Sequence, residues 1–261
     1  MITFSIITIT YNAASVVLPT LDSVLMQQHP DVEHIIIDGA SQDDTLRMVS
    51  DYVRRSDEMD NGHQVVVCSE PDKGIYDAMN KGLAKASGDY VCFLNAGDRL
   101  PEADTLLNIA MEAESLGDGC LPAVLYGDTD IIDGEGRFLH HRRLSPPDKL
   151  SWRSFRHGML VCHQAFYARR DLAQATPYDL RYRFSADVDW CIRVMKKAAG
   201  EGTSLCRVPG VIALYLREGQ TTRHHRESLR ERFDVMRRHY GLLTTLAMHG
   251  WFVVRNFLKK D

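Results

Sequence analysis

Residues Cys68–Asp98 read C-S-E-P-D-K-G-I-Y-D-A-M-N-K-G-L-A-K-A-S-G-D-Y-V-C-F-L-N-A-G-D, and the order of polar and apolar residues in this stretch decides the fold. It describes a strand end, a helix, and a buried strand that delivers a polar cluster. Pro71 and Asp72 open the helix, with Asp72 as its N-cap. Ile75, Met79 and Leu83 recur at i, i+4 and i+8 and form one apolar stripe. Lys81 and Lys85 lie towards the C-terminal end, where cations suit the helix dipole, and Ser87-Gly88 ends the helix. Tyr90 to Leu94 is a short, almost wholly apolar run of the kind that makes a buried strand. Its C-terminal edge changes abruptly to Asn95-Ala96-Gly97-Asp98. In open α/β sheets, ligands sit outside the carboxyl ends of the strands. Asp98 is therefore expected where a ligand binds.

Upstream, Phe4 to Thr10 is a β-branched and apolar run that predicts a first strand, ending at Tyr11-Asn12. A helix follows to about Gln27, with Pro19 inside it. Val32 to Ile37 predicts a second strand, ending at Asp38-Gly39. Ser41 and Asp44 have capping-box spacing, and Leu46, Val49, Tyr52 and Val53 give the next helix an apolar face. Gln64 to Cys68 predicts a third strand. The first hundred residues thus run β-α-β-α-β-α-β, which implies a mostly parallel sheet with right-handed crossovers. No Gly-x-Gly-x-x-Gly follows the first strand and there is no Walker A pattern, which sets aside ordinary dinucleotide and P-loop chemistry. Asn12, Asp38 and Asp98 fall at strand ends on one rim. Each alone reads equally well as a cap or turn residue; together they point to a site.

Downstream the pattern changes. Glu102 to Ser115 predicts a helix, and Val124 to Gly127 a strand ending at Asp128. Ile131-Ile132, Asp133 to Gly136 and Phe138 to His140 read as a hairpin. Arg142 to His157 is basic and irregular, the composition of a loop that moves over a ligand. Cys162 to Ala168 predicts a strand carrying His163-Gln164, with His163 read as a satisfied core histidine. Ser185 to Ala199 predicts a helix with Val188, Ile192 and Met195 on one face and Asp187 and Asp189 in the first turn. Val208 to Leu216 is extended, and a charged helix is expected over Thr222 to Tyr240.

The 261 residues suffice for one large domain or two fused lobes, and 44% hydrophobic and 25% charged content is ordinary for a globular protein. A formal net charge of −4 gives no support for nucleic-acid binding. From Arg223 to Asp261, however, nine Lys and Arg face four Asp and Glu, leaving −9 on the remainder. That asymmetry marks a basic C-terminal segment with a surface role. Six cysteines without a C-x-x-C pair suggest reduced buried thiols in a cytoplasmic protein rather than a zinc site. No basic region precedes the first apolar run, and no apolar run reaches the ~18 residues of a membrane span, so neither a signal peptide nor a span is expected. The stretch Leu242 to Leu258, with Trp251 and Phe252 and followed by Lys259-Lys260, suits a peripheral contact with the inner face of a membrane or a helix packed on the domain.

The ordered set S-I-I-T-I-T-Y-N, I-I-I-D-G-A-S-Q-D-D-T, S-E-P-D-K-G-I-Y-D-A-M-N-K-G, F-L-N-A-G-D, C-H-Q-A-F-Y and S-A-D-V-D-W resembles the family-two glycosyltransferases, especially those of bacterial exopolysaccharide (colanic-acid-type) assembly. The resemblance spans roughly Ile2 to Thr222. It implies a GT-A fold: a mostly parallel, Rossmann-like nucleotide-binding sheet merged with a smaller mixed acceptor-side sheet. On this basis residues 1–222 form the catalytic domain, with a donor half at 1–98 and an acceptor half at 99–222, and residues 223–261 form a helical tail. The resemblance also implies an inverting, metal-dependent transfer from a nucleotide-diphosphate sugar, with UDP the commonest carrier, to a saccharide or lipid-linked saccharide. Thr8, Tyr11 and Asp38 map to the nucleoside contacts, Asn95-Ala96-Gly97-Asp98 to the diphosphate and its Mg²⁺ or Mn²⁺, and Asp187 to the general base. The usual Asp-x-Asp followed by Asp is here Asn95-x-Gly97 followed by Asp98, so Asp98 alone stays charged. A single carboxylate is enough for Mg²⁺ when phosphates and water complete the shell. Asp44 stands where the family often has Gly.

Asp72 belongs with the donor contacts, and Asp77 and Asn80, one helical turn apart, either reach the donor sugar or form a solvated face. Asp189 either contacts the acceptor or is solvated. A sugar-phosphate nucleotidyltransferase is the competing enzyme reading; it calls for a Gly-rich basic loop that Thr10 to Ala14 does not supply. A non-catalytic nucleotide-sugar binder is the third reading, and it leaves Asp187 without a purpose.

Overall fold

In a computed structural model of the chain, which describes residues 1–115, 120–217 and 225–257, the four predicted strands of the first hundred residues form one parallel half-sheet. Strand β1 (Phe4–Thr10) pairs in parallel with β2 (Val32–Asp38) and β4 (Tyr90–Phe93), and β2 with β3 (Gln64–Ser69). Every residue of β1, β2 and β4 is buried, as near-continuous apolar runs require. The connecting helices are α1 (Val17–Leu25), α2 (Thr45–Met59) and α3 (Ile75–Lys85). Pro19 sits in the first turn of α1, where no backbone N–H is needed. Strand alternation sorts the faces. Ile36 packs with Val17, Leu21, Val49 and Tyr52 of α1 and α2. On the other face α3 lies so close that a β-carbon at Gly82 would come within 2.5 Å of Ile7 Cγ2.

The second half is mixed. After α4 (Thr105–Glu114), β5 (Val124–Ile132) and β6 (Phe138–His141) form the expected hairpin, and β7 (Phe166–Arg169) pairs antiparallel with both β4 and β5. Helices α5 (Arg170–Gln174) and α6 (Ala186–Gly200) lead to β8 (Leu205–Leu216), which pairs in parallel with β5. Among the described residues the sheet has eight strands in the order β3-β2-β1-β4-β7-β5-β6, with β8 on β5. Helices α7 (His225–Tyr240) and α8 (Leu242–Phe257) close the described chain.

Several local expectations give way to competing interactions. Helix α3 starts at Ile75 rather than at Pro71, because Gly74 turns with φ 121° and Asp72 accepts the Gly74 N–H at 2.8 Å instead of capping a helix. Ile75 faces out; Tyr76, Ala78, Met79, Gly82 and Leu83 form the buried stripe. Ser41 makes no capping box with Asp44, since its hydroxyl goes to Asp38 and the first turn of α2 is held by Asp43 accepting from Thr45 N–H at 3.0 Å. His163-Gln164 lies in a 3-10 turn before β7 and not in a strand. The basic loop is pinned rather than free: the Arg142 guanidinium donates to the carbonyls of Leu144, Met159 and Leu160, and residues 152–157 form a 3-10 turn against the core. The start of the predicted last helix, Thr222 to His224, lies outside the described residues. Its remainder, α7, is no detached tail, because Val235 is buried in the main core.

The α3–β1 contact gives a direct test. Gly82→Ala should destabilise the chain by about 1–3 kcal/mol despite the higher helix propensity of alanine, because its methyl group overpacks against Ile7. Urea unfolding of both chains measures it, and an unchanged or raised midpoint would refute the contact.

Candidate active site

Three strand ends lie in register at one rim of the sheet: Thr10 opposite Asp38, and Asp38 opposite Ser69. Asp38 is fully buried and its two oxygens are taken by Thr10 Oγ1 (3.0 Å), Ser41 Oγ (2.5 Å), Ser41 N–H (2.9 Å) and Ser69 Oγ (2.7 Å). Burial works to raise its pKa, but the hydrogen bonds from Ser41, Ser69 and Thr10 outweigh it and hold the carboxyl below its ordinary range. Asp38 thus shapes the loop that follows it. Thr8 is also off the rim: its side chain lies with those of β2 on the α1–α2 side, bonded to His34 at 2.9 Å, and His34 in turn meets the Tyr52 hydroxyl at 2.6 Å. Tyr11 stands open at the rim, 63% exposed, with the exposed Asn12 after it. A β-carbon on Gly39 would meet Tyr11 at 3.2 Å and Asp72 Oδ2 at 2.6 Å, so Tyr11 and Asp72 flank one small gap whose floor is Gly39.

The two residues expected together on α3 divide. Asp77 Oδ2 accepts the Lys73 N–H at 3.0 Å and lies 3.9 Å from Lys81, which also pairs with Glu70. Asn80 neither faces solvent nor is free for a sugar: its amide clamps the backbone of Tyr178, giving at 3.0 Å and accepting at 2.7 Å.

The turn after β4 holds the centre of the site. Asp98 is 4% exposed; its Oδ1 accepts the Leu216 N–H at 3.0 Å and its Oδ2 the Gln164 amide at 2.6 Å. Burial pushes its pKa up to about 6 against the pull of those hydrogen bonds. Gly97 bends with φ 103°, and a β-carbon there would strike Leu216 at 2.6 Å. Ala96 is partly buried against the α1–α2 core. Asn95 touches His163 Nε2 at 3.1 Å with its Nδ2, while its Oδ1 is buried without a hydrogen-bond partner among the described residues.

His163, expected as a satisfied core histidine, is largely buried and has a partner at each ring nitrogen. Its Nδ1 lies 3.5 Å from Asp187 Oδ2, and Tyr76 donates to Asp187 Oδ1 at 3.2 Å. A continuous path Asn95–His163–Asp187–Tyr76 therefore joins the turn after β4 to the first turn of α6. The signal lay in C-H-Q, three polar or polarisable side chains in an apolar run. Asp187 keeps a partly exposed side chain, 16%. Burial works to raise its pKa, but His163 outweighs it, with help from Arg232, and the carboxyl stays below its usual range. Asp189 differs: it is buried between Arg193 (2.6 Å) and His239 of α7 (2.8 Å), neither solvated nor open to an acceptor.

Among the described residues no group of three or more His, Cys, Asp and Glu could by itself hold a metal. The oxygen donors that suit Mg²⁺ or Mn²⁺ are the unpartnered Asn95 Oδ1 and the Asp98 carboxylate, each of whose oxygens has one lone pair left. They make a half-site that phosphate oxygens have to complete.

Comparison with known proteins identifies the family and the fold. Residues 5–175 match glycosyl transferase family 2. A PGL/p-HBAD biosynthesis glycosyltransferase of Mycobacterium bovis is 36% identical over 197 residues, 75% of this chain and 71% of that protein. The amylovoran biosynthesis glycosyltransferase AmsB of Erwinia amylovora is 29% identical over 201 residues, 75% of this chain and 64% of AmsB. Among solved structures, S. aureus TarS 1-349 in complex with UDP-GlcNAc matches 90% of this chain and 64% of its own with TM-score 0.68 at 18% identity. The mannosyltransferase PcManGT of Pyrobaculum calidifontis, in complex with GDP-Man and Mn²⁺, matches 95% and 70% with TM-score 0.63 at 19% identity. The fold is GT-A, an α/β architecture around a mixed central sheet. The chain belongs to glycosyl transferase family 2. The family match ends at residue 175, before Asp187 and Asp189.

The buried Asp189 cluster makes a stability prediction. Its pKa is lowered, His239 and Arg193 together outweighing burial. The stability it contributes is therefore present above the unfolded value of about 3.9 and lost as pH falls through the lower folded value. Asp189→Ala should cost on the order of 3 kcal/mol at pH 7, with the gap narrowing below about pH 4. Denaturant unfolding at both pH values checks this; a surface-like loss under 0.5 kcal/mol would contradict it.

Proposed function

We propose that the chain transfers a sugar from a nucleoside-diphosphate donor, with UDP-sugars the first to test, to an acceptor hydroxyl in the assembly of a surface glycan or glycolipid, with inversion at the anomeric carbon and Asp187 as general base. The observation that carries this is the placement of Asp187: a partly open carboxylate held by Tyr76 and His163, the latter reaching Asn95 beside Asp98. A pure binder needs no such group. The UDP-GlcNAc and GDP-Man complexes of the structural neighbours support a nucleotide-sugar donor.

Tyr11 then covers the base over Gly39, with Asp72 beside it, and Asp38 holds the loop that forms this floor. The diphosphate would lie by Asn95-Ala96, and Asn95 and Asp98 would supply the protein oxygens for a Mg²⁺ or Mn²⁺. That ion, when bound, stabilises negative charge on the leaving diphosphate. Asp187 takes the proton of the acceptor hydroxyl as its oxygen bonds to the anomeric carbon and the bond to the diphosphate oxygen breaks. One displacement from the face opposite the leaving group inverts the centre. His163 acts through Asp187 and positions it.

A transfer and hydrolysis assay over a panel of UDP- and GDP-sugars tests the reading; no turnover of any donor, with donor binding intact, would leave a binder. Asp187→Asn should lower kcat by about 10²–10⁴-fold and leave donor affinity unchanged. His163→Gln removes the partner that holds the Asp187 pKa down, so the acid limb of the kcat–pH profile should move to higher pH while KM for the donor stays put. An unmoved limb would deny His163 that role. Asp98→Asn should abolish the Mn²⁺-dependent part of nucleoside-diphosphate binding by calorimetry; unchanged affinity would remove Asp98 from the half-site.

A further inference from the structure

Helix α8 is amphipathic with its apolar side turned outward. At 100° per residue, Thr244, Thr245, Met248, His249 and Phe252 fall on one half of the helix, and all five are buried or half-buried. His249 meets Phe233 of α7 with ring centroids 5.0 Å apart. The other half carries Leu242, Leu243, Leu246, Trp251 and Val254, with Ala247 and Gly250 between them. Leu243 is 84% exposed and the other four large residues are each about half exposed. Among the described residues, no charged or hydrogen-bonding side chain other than the Trp251 indole interrupts this face. A helix packed on a water-soluble domain shows the opposite arrangement.

Next to it lies a cationic surface. The 3-10 turn Trp152–His157 packs against both α7 and α8. Trp152 stacks on Tyr240 with centroids 5.8 Å apart, and the Tyr240 hydroxyl donates to the Trp152 carbonyl at 2.5 Å. Lys149, Arg153 and Arg156, with Ser151 and Ser154, line a surface cavity of about 270 Å³ here. All three cations are exposed, and none has an acidic partner at salt-bridge distance among the described residues.

We infer that the outward face of α8 and the Lys149–Arg153–Arg156 cluster form one surface that docks on an anionic lipid bilayer. The apolar half enters the headgroup boundary, and the cations meet lipid phosphates. The helix lies on the bilayer and does not cross it: no helix among the described residues is long and apolar enough to span. A second copy of the chain is a poorer occupant, because this surface holds three cations and no carboxylate in the cavity lining, so the same surface of a second copy brings it no counter-charge. The docked surface is tied to the helix that carries Asp187. His239 of α7 bonds Asp189 at 2.8 Å, and Glu231 accepts the N–H groups of Arg183 and Phe184, each at 2.8 Å, just before α6. Docking would therefore hold the acceptor side of the site near the bilayer, a geometry suited to an acceptor carried by a lipid. The docking itself does not depend on the transferase reading.

Flotation of the full chain tests it, with phosphatidylcholine vesicles containing phosphatidylglycerol and with phosphatidylcholine alone. The wild type should float with the anionic vesicles, with a blue shift of tryptophan emission, and bind at least tenfold less to the neutral ones or at high salt. Lys149→Gln/Arg153→Gln/Arg156→Gln should lose the anionic preference. Leu243→Ser/Leu246→Ser/Val254→Ser should lose binding to both. These side chains are exposed, so the variants should keep wild-type circular dichroism and nucleotide affinity. Wild-type flotation by the serine variant, or no flotation by the wild type, would overturn the proposal. So would a dimer in light scattering that the serine variant dissolves, since the face would then belong to a second copy. Loss of flotation with soluble-acceptor transfer intact separates this surface from the catalytic reading.

Discussion

Where β4 and β7 join the two halves of the sheet, the buried carboxylate of Asp98 ties together the turns that form the rim. Its backbone belongs to the turn after β4, the last strand of the parallel half. Its two oxygens reach the end of β8 through Leu216 N–H and the turn before β7 through Gln164, both in the mixed half. The neighbouring Arg99 closes the same seam by exchanging two backbone hydrogen bonds with Leu214, at 2.9 and 2.8 Å. A carboxylate so enclosed loses solvation, and only part of that loss is returned by two hydrogen bonds, which is why its pKa rises to about 6. The constraint propagates. Gly97 has to take φ 103° against Leu216, Asn95 is held against His163, and the rim acquires its shape from a bond network and not from strand ends alone.

Much of the architecture was legible because burial writes itself into periodicity. The runs Phe4 to Thr10, Val32 to Ile37 and Tyr90 to Leu94 are short, β-branched or aromatic and mostly apolar, the composition of buried parallel strands, and the polar Ser5, Thr8, Glu33 and His34 within them pair with one another across β1 and β2. What was not legible depends on partners far away in the chain. Asp72 has the composition of an N-cap, yet Gly74 offers a tighter turn and takes its carboxylate. Ser41 has capping-box spacing, yet a buried Asp38 competes for its hydroxyl and wins, because an unsatisfied buried carboxylate costs more than an uncapped helix end. The parallel pairing of β8 with β5 joins segments some eighty residues apart, and nothing local to Val208 to Leu216 announces it.

The site shows the same division. Asp187 and Asp189 share one helical turn and similar sequence surroundings, but a two-residue step turns the helix by about 200°, so they point to opposite sides. One faces Tyr76 and His163; the other faces α7 and is neutralised by Arg193 and His239. Spacing cannot say which side is the rim, because that is settled by where α7 packs. Asn80 makes the point for polar residues on helices: its motif position suggests a ligand contact, but its amide matches a free backbone N–H and C=O at Tyr178 and is spent there.

The environment of Asp187 also bears on how it could serve as a base. Its pKa is held low, so the carboxylate is ionised at neutral pH without any partner reaction, but a weak base does not by itself deprotonate a sugar hydroxyl. The two facts are compatible if proton transfer follows bond formation. As the acceptor oxygen bonds to the anomeric carbon it gains positive charge, its proton becomes strongly acidic, and a carboxylate of low pKa is then sufficient. In the proposed reaction the same carboxylate would, before that moment, accept a hydrogen bond from the hydroxyl and aim it. Partial burial strengthens this bond, because little water competes for it. His163 and Tyr76 fix the direction in which the remaining lone pairs point. The arrangement places the demand on orientation rather than on basicity, which is the demand that a rigid first turn of a helix, braced from behind by α7, is built to meet.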